Sequence, residues 1–137
     1  MTYLSRATAA AGAVLAAAGL LGAGPAHAAA RDPFPGTWLY LTVTKGDSEA
    51  GGTYGSLLRC DPPRGHVHAA EACAELAAAD GDIGRIPAEN VICPMIFAPV
   101  TAHARGQWHG RQIDFRQTYA NACILRARTG AVFALDE

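Results

Sequence analysis

Four cysteines constrain this chain more than any other feature. Cys60, Cys73, Cys93 and Cys123 are the only ones among its 137 residues, and all lie downstream of an apolar leader. The leader has the three parts of a secretory signal. Residues 1–6 carry one positive charge, Arg6; residues 7–24 are Ala, Gly, Leu and Val with one Thr; Pro25-Ala26-His27-Ala28 supplies an A-x-A cleavage site. A membrane anchor is the competing reading, but the run is rich in Ala and Gly and no stop-transfer charge cluster follows it. Cleavage after Ala28 makes residues 1–28 a signal peptide and residues 29–137 one small exported domain. In that setting an even cysteine count reads as two disulfides. Four cysteines allow three connectivities. The favoured one is Cys60–Cys73, closing a short loop, with Cys93–Cys123 closing a longer one. Each would contribute about 3–4 kcal/mol in the loop-entropy treatment. No C-x-x-C spacing occurs, so zinc and redox readings are weak.

Along the exported part, residues 38–44 form the clearest strand, with Leu39, Leu41 and Val43 alternating against Trp38, Tyr40, Thr42 and Thr44. Residues 45–53 read as a loop and 54–60 as the returning strand, with Ser56, Leu58 and Cys60 on one face. Asp61-Pro62-Pro63-Arg64-Gly65 breaks that strand. Residues 69–79 predict a helix whose buried stripe is Cys73, Leu76 and Ala77, stopped by Asp80-Gly81. Residues 100–108 alternate again, and Gly106 is a candidate bulge. His109-Gly110-Arg111 predicts a hairpin turn into a strand over 112–119, with Ile113, Phe115 and Tyr119 on one face. A short helix is expected over 121–128 and a last strand over 131–135. About five strands without βαβ rhythm predict an α+β fold: an antiparallel sheet with two short helices packed on one side.

Little of this chain is equipped for catalysis. Beyond the leader, Ser48 and Ser56 are the only serines, and neither lies in a nucleophile-elbow motif. The cysteines are expected to be oxidised, no carboxylate pair stands out, and no Gly-rich phosphate loop follows a strand. The chain reads as a non-enzyme. His66 and His68 at i, i+2, and His103 and His109 around another strand, fall short of the three or four convergent ligands a metal needs. They read as solvated, and no metal or cofactor is implied. The formal net charge of −1, made slightly more acidic by losing Arg6, argues against a nucleic-acid partner. After the leader no segment is long and apolar enough to span a membrane.

What remains is Val91-Ile92-Cys93-Pro94-Met95-Ile96-Phe97-Ala98-Pro99, an apolar run with a cysteine and two prolines. Prolines on both sides of Met95 oppose helix and central strand, so the run reads as a stiff extended loop. On chemistry alone it has two readings: a satellite of the core held by a disulfide, or a substrate-like loop offered to a protease. The order of residues favours the second. Pro94 presets φ just ahead of Met95, which is long, apolar and unbranched enough to fill a deep apolar pocket. Cys93 limits how far the strand can spread if cut.

These residues resemble the Streptomyces subtilisin inhibitor family of secreted serine protease inhibitors. The likeness runs through Leu41-Thr42-Val43-Thr44-Lys45-Gly46, Leu57-Leu58-Arg59-Cys60-Asp61-Pro62 and Ala72-Cys73-Ala74-Glu75-Leu76. It is strongest over Cys93-Pro94-Met95-Ile96-Phe97-Ala98-Pro99-Val100, and continues in Gly106-Gln107-Trp108-His109-Gly110, Asn121-Ala122-Cys123 and Val132-Phe133-Ala134. The resemblance implies a five-stranded antiparallel sheet with two helices, the favoured disulfide pairing, and a homodimer formed by packing sheet faces. It implies Met95–Ile96 as the reactive bond. Val91, Ile92, Cys93 and Pro94 would contact the protease on the acyl side and Phe97 on the leaving side, with Asn121 supporting the loop. The expected partner is a subtilisin-like serine endopeptidase. Tyr40 stands where the family uses smaller apolar residues on the dimer face, which bears on the dimer. An alternative of another class is a secreted interaction protein acting as a transglutaminase substrate or protease-processing regulator, with Gln107, Gln112 and Gln117 as acyl donors.

Overall fold

The structure, a computed structural model, describes residues 36–46 and 51–136. The leader expected over residues 1–28 lies outside them. Eight-residue β1 (Trp38–Lys45) is the centre of the fold. β2 (Thr53–Cys60) and β4 (Val100–Trp108) pair with its two edges, both antiparallel. β3 (Pro63–Arg64) returns on β2, and β5 (Arg111–Tyr119) pairs with β4, giving the order β3-β2-β1-β4-β5. Two helices, α1 (Ala69–Ala78) and α2 (Ala122–Thr129), complete the α+β architecture.

Alternation explains the sheet. Leu39, Leu41 and Val43 of β1 are within 1% of fully buried, as are Leu58 of β2 and Ala102 and Ala104 of β4. Strand side chains have a period of two, so these residues make one continuous apolar face. α1 covers it beside β2 and β3, and α2 beside β4 and β5. The opposite face is polar or half-buried and carries Tyr40, 48% exposed. The β4–β5 turn is His109-Gly110, with φ of 45° and 83°; positive φ at both central residues is the hairpin type that matches strand twist.

Four sequence expectations need correction. First, residues 131–135 are not a strand. Backbone bonds from Val132 N–H to Thr129 O and from Ala134 N–H to Ala131 O curl them into turns. Ala131, Val132 and Phe133 are all buried, so the apolar run lacks the two-faced character of a strand. The fifth strand is instead Pro63–Arg64, where Arg59 pairs with Arg64 and Cys60 with Pro63. A proline is tolerated there because β3 is an edge with no outer partner. Second, Gly106 makes no bulge: the register runs unbroken past it on both sides. Its lack of a side chain serves close strand approach, since a Cβ there would collide with the Trp38 carbonyl oxygen. Third, the buried stripe of α1 is Ala69, Ala72, Cys73 and Leu76, while Ala77 is exposed. Fourth, His66 is half-buried rather than solvated. Its Nδ1 accepts the His68 N–H at 2.9 Å and its Nε2 donates to the Val132 carbonyl at 3.1 Å. Burial pulls its pKa down. His103 and His109 are also engaged locally: His103 Nε2 lies 3.2 Å from Asp114 Oδ1, and His109 stacks on Trp108 at 4.8 Å between centroids.

Both disulfides follow the favoured pairing. Cys60–Cys73 ties β2 to α1 with Cα atoms 5.5 Å apart, and Cys93–Cys123 ties the apolar loop to α2 with Cα atoms 5.7 Å apart. Glu75 holds α1 to the turn after α2. Its carboxylate accepts the Ala131 N–H at 2.8 Å, and the absent side chain of Gly130 leaves it room. Burial raises the Glu75 pKa, with the Ala131 N–H opposing. A carboxyl whose folded pKa lies above its unfolded value contributes stability that is present at low pH and lost as pH rises through the folded value. Glu75→Gln keeps an acceptor but cannot ionise. We expect the variant to be the more stable protein at pH 7, with the difference vanishing near pH 4, in urea unfolding at both pH values. A difference that instead grew on acidification would contradict this account.

Candidate functional site: the pinned loop

Between Ile86 and β4 the chain runs through residues 87–99 without helix or strand. Among the described residues seven large hydrophobics are exposed, and five of them fall within residues 91–97. Met95 is 104% exposed, Ile92 101%, Phe97 82%, Ile96 59% and Val91 50%. A soluble chain seldom gathers its exposed apolar side chains in one place unless something is to cover them. From residue 90 to 99 the stretch carries no ionisable side chain, since Cys93 is disulfide-bonded.

The side chains are exposed but the backbone is held. Upstream, Ile86 is buried and the Glu89 N–H donates to the Ala127 carbonyl of α2 at 2.7 Å. Cys93 is bonded to Cys123 in the first turn of α2. Downstream, the Ala98 N–H donates to the Ala120 carbonyl at 2.8 Å, and Gly46 N–H donates to the Pro99 carbonyl at 2.8 Å. Val100 then enters the core.

Asn121 closes the arrangement from below. It is 6% exposed and is the N-cap of α2: its Oδ1 accepts the Ile124 N–H at 3.0 Å. Asn is favoured at this position because its short side chain reaches an unpaired helix N–H. With the oxygen committed to the helix, the Nδ2 group faces the loop. Its two hydrogens go to the Pro94 carbonyl at 3.2 Å and the Ile96 carbonyl at 2.9 Å. These carbonyls bracket Met95 and the Met95–Ile96 peptide bond. One buried side chain thus fixes the helix end and both sides of that bond.

The structure therefore brings together Met95, Ile96, Pro94, Cys93, Cys123 and Asn121, and leaves Val91, Ile92 and Phe97 projecting from the same loop. Cys60 and Cys73 lie elsewhere, in the link between β2 and α1. The pins from Glu89, Ala98 and Gly46 were not legible in the sequence, because a main-chain hydrogen bond leaves no side-chain signature. Gln112 and Gln117 are exposed and Gln107 half-buried, on strands β4 and β5 rather than in the loop.

The fold and loop define a class: a small disulfide-stapled domain that displays one rigid apolar segment for another protein to bind. Residues 35–121 match the family described as subtilisin inhibitor-like. The chain belongs to that family. A Streptomyces avermitilis protein, provisionally named a serine protease inhibitor, is 60% identical over 126 residues, covering 92% of this chain and 86% of the relative. The subtilisin inhibitor of Streptomyces albogriseolus is 39% identical over 101 residues, 70% of each chain. Among solved structures, Streptomyces caespitosus sermetstatin in complex with Bacillus licheniformis subtilisin matches with a TM-score of 0.58 at 30% identity, covering 72% of this chain and 97% of the inhibitor.

Proposed function

We propose that this chain is exported and inhibits a subtilisin-like serine protease by occupying its active site as a substrate that is not released, with Met95–Ile96 as the bond presented. The observation that carries the reading is the double donation from Asn121 to the carbonyls on either side of that bond. The structural likeness to an inhibitor bound to subtilisin supports the choice of partner.

The mechanism follows from the geometry. An extended segment enters a protease cleft by adding main-chain hydrogen bonds along its edge. Met95 fills the pocket next to the nucleophile, with Ile92 and Pro94 on the acyl side and Ile96 and Phe97 on the leaving side. Because the backbone is already held, little conformational entropy is lost on binding. If the nucleophile attacks the Met95 carbonyl, the Ile96 amine does not diffuse away. The Ile96 carbonyl stays on Asn121, and the acyl half stays on the same amide and on the Cys93–Cys123 disulfide. A tethered amine has a very high effective concentration, so re-forming the bond outruns escape. Complexes of this kind reach nanomolar Kd or tighter, about −12 kcal/mol.

The leader over residues 1–28 and the two disulfides agree with action outside the cell, where disulfides persist. No helix among the described residues is long and apolar enough to cross a membrane. A homodimer belongs to the same reading: the open face of the sheet, with Tyr40 near its centre, is the surface a second copy would cover. No observation favours the transglutaminase-substrate alternative.

Titration of subtilisin with the exported protein is the test. Activity should fall linearly to zero at one reactive loop per active site and stay there. Recovery of activity as the protein is consumed would mark it as a mere substrate. Within this frame Asn121→Ala removes two loop hydrogen bonds and the α2 cap together. We expect a loss of stability of about 1–2 kcal/mol from the cap and faster cleavage at Met95–Ile96, seen by mass spectrometry during incubation with subtilisin. An uncut loop in a destabilised variant would remove Asn121 from the mechanism.

A further inference from the structure

Met95 differs from every other sulfur in the exported part of the chain. The sequence has two methionines, and the other is Met1, at the head of the leader. All four cysteines are in disulfides and none is free. The Met95 side chain is 104% exposed, with no covering residue. Thioether sulfur is readily oxidised where solvent reaches it, and disulfide sulfur has already given up its thiolate character. An oxidant reaching this protein therefore meets one reduced, open sulfur, and it sits beside the bond assigned above to the protease.

We infer that Met95 is a reversible oxidation site that switches inhibition off, the oxidant being a peroxide; this rests on Met95 filling the protease pocket. The chemistry balances without any other partner. A sulfur lone pair attacks one oxygen of hydrogen peroxide, an S–O bond forms and the O–O bond breaks. The departing hydroxide takes the proton from the new S–OH group and leaves as water. Sulfur is oxidised by two electrons to the sulfoxide and peroxide is reduced by two.

The consequence is confined to binding. In the free loop the sulfoxide oxygen is hydrated, and nothing in the core touches it. The pins that shape the loop are the Pro94 and Ile96 carbonyls, the Glu89 and Ala98 N–H groups and the disulfide, none of which involves the thioether. In the complex the same oxygen would enter an apolar pocket, where a polar group without a partner is strongly disfavoured. Affinity should fall about 10- to 100-fold. Sulfoxide reduction by the pair of epimer-specific methionine sulfoxide reductases should restore it.

The experiment treats the exported protein with hydrogen peroxide, removes the excess with catalase, and then measures intact mass, thermal midpoint and subtilisin inhibition. The expected result is one added oxygen mapped to Met95, an unchanged midpoint, weakened inhibition and recovery with the reductases. Met95→Leu, whatever its own starting affinity, should inhibit equally before and after peroxide. Three outcomes overturn the inference: Met95 resisting oxidation, an oxidised protein that inhibits as before, or a Met95→Leu protein that loses inhibition on treatment. Met95→Lys separates the two layers. If it gains trypsin inhibition while the sulfoxide form still inhibits subtilisin, the switch fails and the bond assignment stands. If neither changes anything, Met95 is not the residue in the pocket.

Discussion

Replacing Met95 by lysine is expected to carry inhibition from subtilisin-like to trypsin-like proteases. A trypsin-like pocket ends in a buried aspartate that wants a cation, and the thioether of Met95 leaves that charge unpaired. Leaving one member of a buried ion pair without its partner costs about 3–5 kcal/mol, roughly a hundred- to several-thousand-fold in Kd. Met95→Lys should supply the missing ammonium, while in an apolar pocket its charge is a handicap. The two inhibition constants should therefore move in opposite directions. Met95 is fully exposed in the free protein, so the exchange should leave the thermal midpoint where it was. If trypsin remains untouched and subtilisin inhibition persists, the presented bond lies elsewhere in the loop.

The second large effect concerns Cys93–Cys123. This disulfide spans 30 residues and joins the segment just before Met95–Ile96, the bond proposed to be presented, to the first turn of α2. The double variant Cys93→Ser, Cys123→Ser should lose about 3–4 kcal/mol from loop entropy. The remaining Cys60–Cys73 bond and the sheet core are expected to keep it folded at room temperature. Its loop would then hold the acyl half next to the bond only through the Asn121 hydrogen bond to the Pro94 carbonyl, the next anchor being the Glu89–Ala127 bond further upstream. We expect subtilisin to cut it at Met95–Ile96 and turn over, so that an inhibitor becomes a substrate. Gel analysis of an equimolar mixture over an hour distinguishes the cases. A double variant that stays intact and still titrates the enzyme would mean that the disulfide is not needed to hold the cut ends.

What could be read in advance follows physical lines. β1 and β4 were legible because one face of each is buried and the other is not, so Leu39, Leu41, Val43, Ala102 and Ala104 leave a period-two imprint. The His109-Gly110 turn and the Asp80-Gly81 helix stop were legible through residues that accept positive φ. β3 was not, because two prolines normally deny a strand and only an edge position excuses Pro63. Residues 131–135 were misread because the successive burial of Ala131, Val132 and Phe133 erases periodicity. The loop itself was visible as a chemical oddity, but its exposure was not decidable from composition. The family resemblance, rather than spacing, pointed to Asn121. The double donation that gives Asn121 its place emerges only when α2 and the loop are brought together.

The loop is gripped by its carbonyls, two of its amides and one disulfide, while the side chains of Ile92, Met95, Ile96 and Phe97 stand clear. Support and display are therefore separate inheritances. Mutation can rewrite the displayed letters with little penalty to the frame, provided Pro94 and the anchors survive. Such a site can drift from one target enzyme to another through single viable steps, never crossing an unfolded intermediate. It is equally a natural cassette for laboratory selection: a library randomised at 92, 95, 96 and 97 should be populated mainly by folded members.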